Sequence, residues 1–231
     1  MKKIVVLTGA GISAESGIST FRDADGLWEG HDVMEVASPI GWNKNKALVL
    51  DFYNKRRQQL LSVVPNLAHK ALVTLEQKNE VNIITQNVDD LHERAGSKNV
   101  LHLHGKLLQV RSTKNPNLVY SWSKDVLLGD VCEEKSQLRP HIVWFGEAVP
   151  MIEQAIPLMQ EAEIVIVIGT SLQVYPAAGL LDFTQSDVQI YNIDPSSVVN
   201  SNDDRFTIIN QNAGKAVPKL VEKLIRKNSK I

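Results

Sequence analysis

The sequence predicts an α/β protein: a doubly wound, Rossmann-like, six-stranded parallel sheet with a smaller domain built from two insertions. Three observations carry that expectation. Several of six short β-rich runs are apolar on consecutive positions rather than alternating, as strands covered on both faces must be. Helix-length segments lie between them, the order of a doubly wound sheet. A glycine-rich turn directly follows the first run, where such sheets place ligands.

The first run, Lys3–Thr8, reads KIVVLT. Lys2 and Lys3 faintly echo a signal peptide, but Thr8-Gly9-Ala10-Gly11 cuts the apolar stretch short, so a buried strand is expected. Further strands are expected at 81–85, Val100–His102, Ile164–Ile168, 188–193 and Phe206–Ile209. Helices are expected at 43–63, 66–78, 88–95, 151–161 and 215–226, the last carrying Val217, Leu220, Val221, Leu224 and Ile225 on one stripe. Two stretches interrupt the alternation. Residues 1–28, 76–108 and 140–231 are therefore assigned to the sheet domain, 29–75 to a helical insertion and 109–139 to a second one. Thr113-Lys114-Asn115-Pro116-Asn117 is a turn signal between two apolar runs, so a hairpin is expected in the second insertion.

At 231 residues, 43% apolar and 22% charged, the chain is long enough for one such domain plus a modest inserted one. Lys+Arg 25 against Asp+Glu 26 leave a net charge of -1, so neither nucleic acid nor anionic lipid is an expected partner. No apolar run reaches the roughly 18 residues of a membrane helix. Cys132 is the only cysteine, which excludes an intramolecular disulfide and fits a reducing, cytoplasmic address.

Gly9, Gly11 and Ala14 fit the G-x-G-x-x-G/A dinucleotide pattern after a strand. Glycine lets backbone approach a pyrophosphate, and the amides opening the next helix would meet its charge. A tight turn without ligand is the alternative from these residues alone. A dehydrogenase would return early to a second strand and end it with an acidic residue about 20 positions past the glycines. Here the chain instead runs through Phe21, Arg22 and Trp28, which could cover a bound cofactor, and the next strand starts only at Val81.

GAGISAESGISTFRDADGLW (9–28) resembles the sirtuin signature nearly throughout. TQNVDDLHERAG (85–96), HLHG (102–105), RPHIVWFGE (139–147), GTSLQVYPAAGL (169–180) and Tyr191-Asn192-Ile193-Asp194 resemble further sirtuin blocks in sirtuin order. The resemblance spans essentially the whole chain and is nearest to the bacterial, desuccinylase-type class III branch. It implies NAD as co-substrate and acylated protein lysines as partners; the oligomeric state is not legible in the sequence, and a monomer is the default. It places Gly9, Ala10, Gly11, Ala14, Phe21, Arg22 and Trp28 along the dinucleotide and Gln86 on the ribose beside nicotinamide. Asn87, Val88 and Asp89 would form the nicotinamide pocket. Without the family, Asp89 and Asp90 read as a solvated pair opening a helix. Gly169, Thr170 and Ser171, at a strand's C-terminal end, would complete the site, with Asn192 and Asp194 on the adenosine ribose and Ala213 near adenine.

In the scheme the resemblance implies, the acyl-lysine oxygen attacks the ribose carbon as nicotinamide leaves, and a ribose hydroxyl then attacks the resulting imidate. That hydroxyl needs a base. Histidine titrates near about 6.5, and positioned proton transfer contributes roughly 10²–10⁴-fold. His102 and His104 share a strand face, so spacing cannot separate them; the family match selects His104.

Tyr53 and Arg56, at i and i+3 of the expected 43–63 helix, resemble the class III pair for acidic acyl groups. A tyrosine hydroxyl can donate and a guanidinium can grip a carboxylate through two bonds. Arg57 is equally placed by spacing alone. Succinyl and malonyl groups are expected to be preferred over acetyl. The peptide is expected to add a strand to backbone at 143–147, including Val143, Phe145, Gly146 and Glu147, and at 172–175, including Val174 and Tyr175.

Most sirtuins hold a structural zinc with four cysteines in the second insertion. This chain has only Cys132 there, with Ser112 at the first ligand position. No zinc is expected. Leu118, Val119, Tyr120, Trp122, Val126, Leu127, Leu128 and Val131 are the candidates for a replacement core. The rival activities are a nicotinamide oxidoreductase, protein ADP-ribosylation, and non-catalytic NAD or ADP-ribose binding.

Overall fold

All six expected strands form one parallel sheet in the computed structural model, which describes residues 1–19, 27, 28, 30–196 and 203–228. In chain order the strands are β1 (Lys3–Thr8), β2 (Leu27–Trp28), β3 (His31–Asp32), β4 (Glu80–Thr85), β5 (Val100–His102), β6 (Gly105–Ser112), β7 (Val119–Ser121), β8 (Leu138–Ile142), β9 (Ile164–Ile168), β10 (Gln189–Ile193) and β11 (Phe206–Ile209). The helices are α1 (Gly11–Ala14), α2 (Val33–Val36), α3 (Pro39–Lys44), α4 (Lys46–Ser62), α5 (Leu67–Glu76), α6 (Leu91–Ala95), α7 (Ile152–Glu161), the 3₁₀ segment η1 (Ala177–Phe183) and α8 (Ala213–Asn228).

The main sheet runs β11-β10-β9-β1-β4-β5. Both faces are covered, which is why its strands are apolar at successive positions. Ile4 and Val6 of β1 face the layer of α5 and α8, with Leu72, Leu75, Val217 and Leu220. Val5 and Leu7 face the opposite layer of α7 and η1, with Ala155, Met159, Ala177 and Leu180. Each fully buried aliphatic side chain of this kind stabilises by about 1.5–3 kcal/mol. The α8 stripe follows the sequence expectation, with Val217, Leu220, Val221 and Leu224 buried and Ile225 packed at the margin.

A third core joins the two inserted stretches. Val36, Trp42, Val49, Leu50, Phe52 and Tyr53 from α2–α4 pack with Leu107, Val110, Val126, Leu138 and Trp144 around the three-stranded sheet β7-β6-β8. The expected hairpin is β6 with β7, pairing Val110 to Tyr120. The helix α5, expected within the helical insertion, instead lies in the sheet-domain layer against α8. The helix expected at 88–95 begins only at Leu91, because Gln86–Asp90 is a loop tied to its neighbours. Of the proposed replacement core, Val126 is buried and Leu118, Tyr120 and Trp122 pack partly. Val119, Leu127, Leu128 and Val131 are solvent-exposed and do not join it.

Strand register sets where the loops emerge. Thr8 lies opposite Thr85 and Ile168, Thr85 opposite His102, Ile168 opposite Ile193, and Ile193 opposite Ile209. The strand ends are thus level along one edge. The chain moves outward from β1 through β4 and β5, then restarts on the other side at β9. That makes the β1/β9 boundary the topological switch point, where open α/β sheets bind ligands.

Candidate active site

At the switch point two turns meet backbone to backbone. The Gly11 amide donates to the Gly169 carbonyl at 2.9 Å, and the Gly9 amide to Ile168 at 3.0 Å. A Cβ on Gly11 would lie 2.6 Å from Gly169 Cα, and one on Gly169, whose φ is +61°, 2.4 Å from the Ile12 nitrogen. These glycines therefore let two loops of the protein touch, a requirement separate from the close approach of phosphate expected from the pattern. The helix that follows is also only four residues long, so it adds little dipole at the turn.

The Gln86–Asp90 loop is fastened across this seam. Asn87 Nδ2 donates to the Gly9 carbonyl at 3.1 Å and lies 3.3 Å from Ser13 Oγ, which itself donates to Asp89 Oδ2 at 2.9 Å. The Leu91 amide donates to Asp89 Oδ1 at 3.1 Å. Burial pushes the Asp89 carboxyl pKa up, against the opposing pull of those two donors. Gln86 Nε2 donates to Thr170 Oγ1 at 3.0 Å, linking this loop to the Gly169–Ser171 turn. Ser13 was not among the expected site residues. It lies 76 positions from Asp89, a contact that sequence periodicity does not report.

The two histidines left equivalent by spacing part company here. His102 is buried, its Nδ1 3.0 Å from the Asn87 carbonyl and its Nε2 2.8 Å from Glu93 Oε1. Both ring nitrogens are engaged. His104 is half-buried and places only Nδ1 against a carbonyl, that of Gln86 at 2.9 Å. A carbonyl can only accept, so Nδ1 carries the hydrogen and Nε2 holds a lone pair. Burial lowers the His104 pKa and so favours the neutral ring, outweighing the bond to Gln86, which acts the other way.

Asn192, near the end of β10, and Asp194, just past it, lie on the same edge, both buried, and Asp194 Oδ1 accepts the Ser196 amide at 2.8 Å. Ala213 opens α8 and is buried; the Gly214 amide beside it donates to Glu15 Oε2 at 2.6 Å. Ala10 and Ser171 are half-buried and Ala14 is exposed, while Val88 accepts the Leu107 amide at 2.8 Å. Phe21 and Arg22 lie outside the described residues.

A second cluster sits in the small module. Tyr53 is fully buried, and its hydroxyl accepts from Trp144 Nε1 at 2.9 Å; burial pushes its pKa well above the usual phenol value. The Arg56 guanidinium lies over the Trp28 ring at 4.3 Å, and Trp28 meets Phe52 and Tyr53 edge-on. Trp28 therefore stands with the Tyr53 and Arg56 pair. Arg57 is the structural member of the arginine pair, donating to the Leu107 carbonyl and to Asn54 Oδ1.

The backbone at 143–147, to which the peptide is expected to add a strand, follows β8 and turns at Phe145 and Gly146. Glu147 N donates to Trp144 O, Val143 N to His104 O, and Phe145 N to Ala37 O, so these amides are already engaged. The Glu147 carboxylate is held by Arg139, Arg111 and the Trp144 amide. Phe145, Val174 and Tyr175 are exposed.

Ser112 Oγ accepts the amides of Lys114 and Asn115 at 3.2 and 3.1 Å, and Cys132 Sγ donates to it at 3.3 Å. Among the described residues no group of three or more His, Cys, Asp or Glu side chains could hold a metal ion.

The Sir2 family model matches residues 9–176 of this chain. The chain is 63% identical over 225 residues to an NAD-dependent protein deacylase of Helicobacter pylori, covering 97% of this chain and 98% of that one. The fold matches a solved Sir2 homologue in complex with NAD, with a TM-score of 0.88 and 38% identity over 97% of this chain and 90% of that one. It also matches a Sir2 structure containing a deacetylated p53 peptide and 3′-O-acetyl ADP ribose, at TM-score 0.78 and 30% identity over 97% of this chain and 92% of that one.

Proposed function

The chain belongs to the Sir2 family, and from that premise we propose that it is an NAD-dependent protein lysine deacylase with a preference for succinyl and malonyl groups. The observation that carries the proposal is His104, whose Nδ1–H is committed to Gln86 and whose Nε2 is left to accept a proton.

NAD would supply the glycosidic bond that breaks. The Gly9–Ala14 and Gly169–Ser171 turns, Asn192, Asp194 and Ala213 would hold it along the level strand ends. Asp89 suits a carboxamide in either protonation state, because an amide offers both a donor and an acceptor. Asn87 and Asp89, clamped to Gly9 and Ser13, would fix the leaving ring in a poorly hydrated recess. Gln86 would position the adjoining ribose, and His104 Nε2 would take the hydroxyl proton there.

Tyr53 and Arg56 would receive the acyl chain's terminal carboxylate, the hydroxyl donating one bond and the guanidinium more. Phe145 and Val174 would flank the peptide, with Tyr175 beside them. The small module is proposed to stand without zinc, its Ser112 and Cys132 turns closed on each other by hydrogen bonds. The working form is proposed to be a cytoplasmic monomer.

The test is to incubate the protein with NAD and matched acetyl, malonyl and succinyl lysine peptides, following nicotinamide and acyl-ADP-ribose by mass spectrometry. Peptides left intact with abundant NAD would sink the proposal. ADP-ribose appearing on protein instead of acyl-ADP-ribose would favour the transferase reading.

A further inference from the structure

The loop that carries Asn87 and Asp89 is held at two consecutive carbonyls by two histidines. His104 takes Gln86 O at 2.9 Å and His102 takes Asn87 O at 3.0 Å. The two have different surroundings. His102 is buried, and beyond its ring lies Glu93, whose Oε1 is 2.8 Å from Nε2 and also receives Lys106 Nζ at 2.9 Å. Both oxygens facing the ring can only accept, so the ring makes both bonds only with a hydrogen on each nitrogen. Burial alone would raise the Glu93 pKa, but the bond and charge of His102 and the bond from Lys106 overcome it and hold the carboxylate at about 2.

We propose that His102 is a positioning residue for the dinucleotide pocket: backed by Glu93, it fixes the Asn87 carbonyl and so sets the register in which Asn87 and Asp89 meet Gly9 and Ser13. The role rests on the reading of this edge as the NAD site. It is distinct from that of His104, because His102 has no ring nitrogen left for a substrate proton. Removing its donor leaves a buried carbonyl unpaired, and the strain falls on the loop whose side chains face the cofactor.

The experiment compares NAD affinity by calorimetry, together with kcat and KM for NAD on acyl peptide, in the wild type, His102→Leu and His102→Asn. Asparagine Nδ2 stands the same number of bonds from Cα as histidine Nδ1 and can donate to the same carbonyl. His102→Leu is expected to weaken NAD binding and raise KM about tenfold, with kcat changed less than about threefold. His102→Asn should recover most of that loss. A purely structural histidine would lower the active fraction, and hence kcat, in both variants while leaving KM alone. Glu93→Leu should raise KM in the same direction and add nothing to His102→Leu in the double variant. Wild-type affinity in His102→Leu, no recovery in His102→Asn, or additive Glu93 and His102 effects would each overturn the role. A wild type that binds NAD with this pattern of variants yet cleaves no acyl peptide would remove the deacylase reading and leave the positioning role standing.

Discussion

Trp144 Nε1 donates to Tyr53 Oη at 2.9 Å, and this bond determines what the tyrosine can do next. An indole N–H can only donate, so the phenol accepts it and must aim its own hydrogen elsewhere. Because burial resists ionisation, the hydroxyl stays a donor near neutral pH. A carboxylate at the end of an acyl chain would satisfy that donor; a methyl group would not. Tyr53→Phe should therefore lower kcat/KM for succinyl peptide while sparing acetyl peptide. It also strands the buried Trp144 N–H, at a cost of about 1–3 kcal/mol in urea unfolding. An equal fall for both acyl groups would count against the assignment.

Arg56 supplies the formal charge in the same cluster. Charge-assisted hydrogen bonds are worth about 1.5–3 kcal/mol, so Arg56→Met should reduce the succinyl-to-acetyl ratio of kcat/KM by roughly 10- to 150-fold. Arg57→Met should behave differently, because Arg57 braces Leu107 and Asn54 inside the module. Its effect is expected in melting temperature, and a selectivity change from Arg57 with none from Arg56 would reverse the two roles.

His104→Tyr should remove roughly 10²–10⁴-fold of the deacylation rate with little change in fold, since only one of its ring nitrogens braces the loop. The base works when unprotonated, and burial lowers its pKa. The acidic limb of the rate should therefore lie below the value of about 6.5 for free histidine. A limb centred above neutrality, or one that survives His104 replacement, would exclude it as the base.

His69 and His92 form a buried pair beneath the strand ends, rings 4.9 Å apart, with His92 Nε2 3.1 Å from Thr8 Oγ1. Burial lowers His69 to about 4; burial, then the neighbouring His69, lowers His92 to about 3. Unfolded, each titrates near about 6.5, so below that pH the unfolded chain binds more protons. Their contribution is fully present above about 6.5 and is lost as pH falls, toward about 4 for His69 and about 3 for His92, at up to about 1.4 kcal/mol per pH unit for each ring. Urea unfolding at pH 7, 6 and 5 should show this slope, reduced in His69→Gln. An unchanged slope in that variant would show that other groups set it.

Ser112→Ala should destabilise the small module by about 1–3 kcal/mol, because two amides and the Cys132 thiol lose their common acceptor. Cys132→Ser keeps a donor there and should be milder. Treatment with a chelator should leave the melting temperature unchanged. One tightly held zinc per chain by elemental analysis would contradict the hydrogen-bonded arrangement.

The main sheet was readable because burial on both faces leaves uninterrupted apolar runs, and the α8 stripe because one face of it is buried. β8 was not, since Pro140 breaks the pattern of LRPHI even though it sits opposite Val110 in the small sheet. The placement of α5 was hidden as well: an apolar face announces a core without saying which. Within the site, the glycine turn and the histidine pair were visible as residue types. Their division of labour was not, because it depends on Asn87, Glu93 and Gln86 arriving from other elements. Trp144 lies 91 positions from Tyr53 and became an identifiable partner only in three dimensions.

His104 sits where the two modules are stitched together. Its ring leans on Gln86 from the sheet domain, its carbonyl receives the Val143 amide from the far end of β8, and Gly105, at φ +81°, turns straight into β6. A Cβ on Gly105 would strike the His141 carbonyl at 2.1 Å, so the join has almost no slack. Any slippage of one module past the other would bear directly on the imidazole, which makes its aim a gauge of how firmly the two modules are joined.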